Sequence, residues 1–122
     1  MSRQTLGKLG EDLAVLYLEK KGYQIKERNF KIRAGEVDIV AVDNDVLVFV
    51  EVKARSGFEY GSPAEAVTLK KQQQIAKAAL FYINKFNLHN FDARFDVVSV
   101  IIKNTKTPQI ELIKNAFDLN YG

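Results

Sequence analysis

Hydrophobic positions recur along this chain with two different periods, and the changes of period mark out its elements. From Thr5 to about Lys20, Leu6, Leu9, Leu13, Leu16 and Tyr17 form a stripe at helical spacing, opposite Lys8, Asp12 and Glu19. Gly22 is placed to close that helix. Tyr23 to Ile32 reads as a first strand. Its core candidates Ile25 and Phe30 are an odd number of residues apart, so they face opposite sides unless the strand bulges or ends early. After the turn Arg33-Ala34-Gly35, two β-branched runs, Gly35 to Val42 and Leu47 to Lys53, flank Asp43-Asn44-Asp45 and predict a hairpin. The second run is apolar on both faces, which predicts a sheet covered by helices on each side.

A glycine-bearing segment, Ala54 to Ser62, follows. Ser62-Pro63-Ala64-Glu65 has the pattern of a capping box, and Thr68 offers an alternative N-cap. The helix continues to about Phe86, with Leu69, Ile75, Ala76, Ala79, Leu80, Ile83 and Phe86 as its predicted buried face. Lys70, Gln73 and Lys77 make a separate lane whose default place is water. Phe95 to Ile102, a turn at Asn104 to Pro108, and Gln109 to Lys114 complete a last hairpin. The order α, β, hairpin, α, hairpin over residues 1–122 predicts one α/β domain, a central mixed sheet flanked by helices.

Polar residues inside the strong strands change this picture. Glu36, Asp38, Glu51 and Lys53 interrupt otherwise apolar runs, and side chains two apart on a strand share a face. An even-numbered loop sets Asp38 opposite Glu51 and Glu36 opposite Lys53, backed by Leu47 and Phe49; an odd loop turns one pair away. With the even loop, three carboxylates and one ammonium share a small patch. Such a patch suits a hard cation such as Mg²⁺, and it equally suits a ladder of cross-strand ion pairs.

Net charge is +3, but Lys20, Lys21, Lys26, Arg28, Lys31 and Arg33 are concentrated before the hairpin. Arg28, Lys31, Arg33 and, beyond the hairpin, Arg55 are candidate phosphate contacts, against the plainer reading of a solvated lysine-rich surface. The segment holding Arg55, Phe58 and Tyr60 suits either a flap closing on nucleic acid or a plain connector. The absence of cysteine excludes disulfides and thiolate metal sites and fits a cytoplasmic protein. No apolar run is long enough to span a bilayer, so no membrane partner is expected. His89 has no partner in sequence, and Arg94 and Asp96 straddle Phe95 as a structural ion pair.

Asp38 followed by Glu51-Val52-Lys53 on the next strand resembles the PD-(D/E)xK signature of restriction-endonuclease-like nucleases, without the proline, since Val37 precedes Asp38. The ordered set Gly10-Glu11 with Ala14, Arg28-Asn29-Phe30, Gly35-Glu36-Val37-Asp38, Phe49-Val50-Glu51-Val52-Lys53, Ala66-Val67, Lys70, Arg94-Phe95-Asp96 and Ala116-Phe117 is similar to the YraN-like bacterial proteins. These are akin to archaeal Holliday-junction resolvases. The resemblance implies a restriction-endonuclease-like fold and Mg²⁺-dependent cleavage of DNA, with Mn²⁺ as a substitute and RNA as another polymer. It implies metal ligation by Asp38, Glu51 and the Val52 carbonyl. Glu36 and the helical acid Glu11 would complete the site directly or through water. Lys53 would orient water or neutralise developing charge, and Lys70 would supply a basic group from the second helix. A branched substrate would imply a homodimer with paired sites. The alternative from another functional class is a nucleic-acid-binding module with little or no cleavage of its own.

Overall fold

A computed structural model describes residues 2–57, 67–103 and 107–118. Its elements run α1 (Arg3–Lys20), β1 (Gln24–Ile32), β2 (Gly35–Asp43), β3 (Val46–Arg55), α2 (Leu69–Lys85), β4 (Asp92–Ile101) and β5 (Gln109–Phe117). The five strands form one sheet in chain order. Neighbours are antiparallel except β3 and β4, which are parallel because the α2 crossover carries the chain back. A mixed sheet with a helix on each face is the α/β architecture that the hydrophobic pattern predicts. It is compatible with a restriction-endonuclease-like fold.

Strand β3 lies at the centre. Leu47 and Phe49 pack into the cluster under α2, while Val48 and Val50 pack into the one under α1. Ile25 joins the α1 side and Phe30 the α2 side, although β1 is irregular both between Ile25 and Glu27 and at Asn29, two breaks that together restore the parity of an unbroken strand. Strand β3 runs two residues past Lys53 because β4 pairs with Ala54 and Arg55. It therefore takes Arg55 out of the following loop.

Both helices dock on small residues, which displaces the expected apolar faces. In α1 the buried set is Gly10, Ala14 and Leu18, whereas Leu16 is 56% exposed. A Cβ on Gly10 would collide with the Ala54 side chain, so this edge of α1 lies close on β3. The helix ends as expected at Gly22, whose N–H donates to Glu19 O, while Tyr23 N–H donates to Leu18 O, each at 3.0 Å. Helix α2 takes Thr68 as its N-cap, with Oγ1 accepting from Lys71 N at 3.2 Å. The Ser62 to Glu65 capping pattern, Phe58 and Tyr60 lie outside the described residues. Ile75, Ala76, Ala78, Ala79 and Tyr82 are buried in α2, and the expected Leu69 (68% exposed), Leu80 and Phe86 are not. Tyr82 fills the space instead, edge-on to Phe30 and Phe49. Lys70, Gln73 and Lys77 are exposed, as a solvated lane should be.

A second close approach fixes α2 against the turn before β2: a Cβ on Gly35 would collide with the carbonyl oxygen of Gln74. Gly35→Ala is therefore expected to destabilise the protein by roughly 1–3 kcal/mol, because α2 must move off the sheet to admit one methyl group. Urea unfolding measures this, and an unchanged midpoint would mean that α2 shifts without cost.

Candidate active site

The β2–β3 turn is the two-residue loop Asn44-Asp45, with Asn44 at φ 55°. Pairs run from Asp43↔Val46 to Ile39↔Val50, the even-loop register. Regular pairing stops there. Instead, Val52 N–H donates to Asp38 Oδ2 at 2.8 Å. On the other flank, β1 pairs Arg28 with Ile39 and Phe30 with Val37, but forms no pair at Asn29, whose φ is 55°. Asn is among the few residues that tolerate this left-handed conformation. The kink also changes the side-chain alternation of β2. Val37 packs under α2 and Ile39 under α1 although they are two apart, so the simple shared face expected for Glu36 and Asp38 does not hold. At the kink neither ladder pairs Asp38, and its carboxylate accepts from the backbone of β3.

Glu51 is buried, 3% exposed, and its Oε1 has no hydrogen-bond partner. Its Oε2 lies 3.8 Å from Lys53 Nζ and 3.9 Å from Lys71 Nζ. Burial and then the Asp38 charge push the Glu51 carboxyl up to about 8; the two lysines oppose the shift without cancelling it. A buried carboxyl that resists ionisation, beside a half-buried second one, forms a site that gains from a cation.

The basic group that α2 supplies is Lys71, not Lys70. Lys70 is exposed, whereas Lys71 Nζ reaches both Glu51 and Glu36 Oε1, the latter at 3.7 Å. The sequence carried a signal for this, since Lys71, Ile75, Ala78 and Tyr82 share one helical lane once Thr68 is the N-cap. Glu36 does not face Lys53. It pairs across β1–β2 with Lys31, whose Nζ is 3.7 Å from Glu36 Oε2. Glu36 therefore spaces two ammonium groups beside the site and is set aside as a direct ligand. Glu11 is likewise held elsewhere, accepting from Arg28 Nε at 2.9 Å and from Asn29 Nδ2 at 3.0 Å. Its partner Asn29 occupies the kink next to Asp38, so Glu11 braces the site through β1. Arg28 also donates to Asp12 at 2.6 Å, which removes it from the expected phosphate contacts. Its pairing with Asp12 holds that carboxyl below the usual range. Arg33 is exposed on the turn before β2, and Arg55 is half-buried at the end of β3.

On β4, one register step from the partner of Glu51, the expected Arg94–Asp96 pair sits inside a larger network. Asp96, fully buried, accepts from Arg94 Nε at 3.0 Å, Tyr23 OH at 3.0 Å and Asn115 N at 2.9 Å. Arg94 Nη2 also reaches Asp43 at 2.6 Å. This constellation is saturated with internal partners and is structural. His89 bonds Asn84 Oδ1 at 2.6 Å, away from the carboxylates.

Among the described residues, no three Asp, Glu or His side chains converge as a ready-made metal cage. The donor set still fits Mg²⁺, which keeps several waters and is commonly held by one or two carboxylates. Asp38 and Glu51 supply two carboxylates and Val52 a backbone carbonyl, and the unpartnered Glu51 Oε1 is an oxygen with unused capacity.

Residues 10–100 match the model of the uncharacterised protein family UPF0102. Relatives with that family name include proteins of Trichlorobacter lovleyi, 54% identical over 97% of this chain and 94% of the relative, and Geobacter sulfurreducens, 53% identical over 95% and 91%. A protein of Clostridium botulinum is 47% identical over 93% of this chain and 94% of its own length. These names state no activity. No helix among the described residues is long and apolar enough to cross a membrane. On sequence, over nearly its whole length, the chain belongs to family UPF0102, the YraN-like family within the restriction-endonuclease-like superfamily.

Proposed function

We propose that this protein is a metal-dependent endonuclease that hydrolyses phosphodiester bonds in DNA. The observation that carries this reading is the buried Glu51, with an unpartnered oxygen beside Asp38 and two ammonium groups at its rim. A divalent ion held by Asp38, Glu51 and the Val52 carbonyl would supply Lewis acidity toward a phosphoryl oxygen and lower the pKa of an attacking water. The chain's own residues do the rest. Asp38 is oriented by Val52 N–H, and Lys53 Nζ lies 3.8 Å from Glu51 Oε2. A cationic group so placed would stabilise charge that develops on the phosphoryl oxygens. Lys71 adds a second positive charge from α2.

The experiment is a panel of labelled duplex, nicked, single-stranded and four-way DNA with Mg²⁺ or Mn²⁺. Cleavage of at least one form is expected. The ion pairs already made to Glu51 favour a second reading, a nucleic-acid-binding module whose lysines substitute for the cation. Binding without cleavage on every form would select it.

Affinity for duplex DNA is expected to fall steeply with salt, each phosphate contact adding about 0.9 to the log–log slope. Lys26, Lys31, Arg33 and Lys71 are the contacts, and Arg33→Gln should lower the slope by about one contact. Arg28→Gln should leave it unchanged, because Glu11 and Asp12 already hold that guanidinium. A slope lowered equally by both variants would place Arg28 on the DNA.

A further inference from the structure

Beside the candidate metal ligands lies a cleft of about 240 Å³, walled by the β1–β2 turn and the first turns of α2. Its lining includes Lys31, Arg33, Gly35, Glu36, Lys71 and Gln74. Resting on the nuclease reading above, we propose that this cleft holds a second phosphate of the same strand, the one adjoining the scissile phosphodiester.

Three features carry the assignment. First, charge: three cations face one carboxylate, an excess that suits an anion. The lone carboxylate, Glu36, stands 3.7 Å from each of Lys31 and Lys71. Those separations exceed hydrogen-bonding distance, so the ammonium groups are steered by Glu36 while their donors remain available. Arg33 adds a guanidinium, the group whose paired N–H donors match phosphate. Second, rigidity: Gly35 and the backbone of Gln74 are in contact too close to admit a Cβ, so the two walls are locked together before anything binds. Third, spacing: the single Lys71 ammonium touches Glu36 in the cleft wall and Glu51 in the metal site. The two sites therefore lie within two ion-pair lengths of each other, a span comparable with one nucleotide of backbone. A strand seated in both would present a fixed linkage to Asp38 and Glu51 whatever its bases, so selection here falls on backbone geometry rather than sequence.

The test needs neither metal nor turnover in its first arm. Inorganic phosphate is titrated into the full-length, ¹⁵N-labelled protein without divalent ions, and amide shifts are followed. Localised shifts are expected over residues 31–36 and at Lys71 and Gln74. The double variant Lys31→Gln, Arg33→Gln, both at exposed positions, should bind roughly fivefold more weakly or worse while keeping its other resonances. Shifts spread equally to the lysines at the end of α1, or no localised shift, would overturn the cleft as a phosphate site. The second arm scans single methylphosphonates along a DNA that the protein cleaves in Mg²⁺. One neutral linkage next to the cut should slow wild type but not the double variant. Sensitivity at a distant linkage, or equal sensitivity in both proteins, overturns the adjacency. Cleavage without phosphate in the cleft sinks this proposal alone, whereas phosphate in the cleft without cleavage of any DNA sinks the nuclease reading, and the adjacency with it, and leaves only a phosphate site.

Discussion

Glu51→Gln is expected to abolish cleavage while making the protein more stable at alkaline pH. The carboxyl of Glu51 is raised by folding from its ordinary 4.5 to about 8, first by burial and then by Asp38. The folded state thus binds this proton more tightly than the unfolded chain does. The associated stability is fully present below pH 4.5 and is lost as pH rises through about 8. The loss is on the order of 3–5 kcal/mol at most. Glutamine keeps the shape, carries no charge to bury and offers an amide donor toward Asp38. Urea unfolding at pH 5.5, 7 and 9 should show wild type losing stability across the series while the variant stays nearly level, with the variant ahead at pH 9. Cleavage should fall roughly a thousandfold or more, since a strong ligand for the activating ion is gone. A variant less stable than wild type at pH 9 would show instead that Lys53 and Lys71 hold Glu51 as a structural anion. Such a trade of stability against function is common where an active site buries charge.

Asp38→Asn should separate catalysis from binding. The amide oxygen can still accept from Val52 N–H, so the local backbone should persist, but the negative charge is lost. Cleavage is expected to drop by orders of magnitude. DNA binding measured without divalent ions should hold or tighten, because one repulsive charge facing the phosphates has gone. The same change removes the second cause of the Glu51 shift, so Glu51 should ionise at lower pH, and the loss of stability with rising pH should be smaller and complete at a lower pH. Binding lost together with activity, or a large fall in melting temperature, would assign Asp38 a structural role.

How much of this was legible in the sequence depended on whether a local rule sufficed. Hairpin parity is local: two turn residues, Asn44 and Asp45, are enough to set the register from Asp43↔Val46 to Ile39↔Val50. The double-sided apolarity of β3 likewise announced a helix on each face. Packing choices between elements were not legible in the same way. The leucines of α1 suggested its buried face, yet Gly10 and Ala14 won because small residues bring the helix axis nearer to the sheet. Lys71 was hidden beside Lys70 because only the packing of Ile75, Ala78 and Tyr82 shows which side of α2 meets the sheet. Glu36, Glu11 and Arg28 were recognised as charges near a site, but their partners come from other strands and helices. The kink at Asn29 and Asp38 breaks the strict alternation on which the strand reading relied.

The saturated network around Asp96 has a kinetic consequence. It joins Tyr23 ahead of β1, Asp43 at the end of β2, Arg94 and Asp96 on β4, and Asn115 on β5. The β2–β3 hairpin closes over a two-residue loop and can form early, whereas this network requires chain segments more than seventy residues apart in sequence to meet. It is therefore expected to assemble late, after β5 has docked. Interactions that form after the transition state govern how fast a protein comes apart rather than how fast it folds. Asp96 and its partners thus act as a latch on the finished sheet, and because Asp96 stands beside Val50 they hold the part of β3 that carries Glu51 for as long as the latch holds.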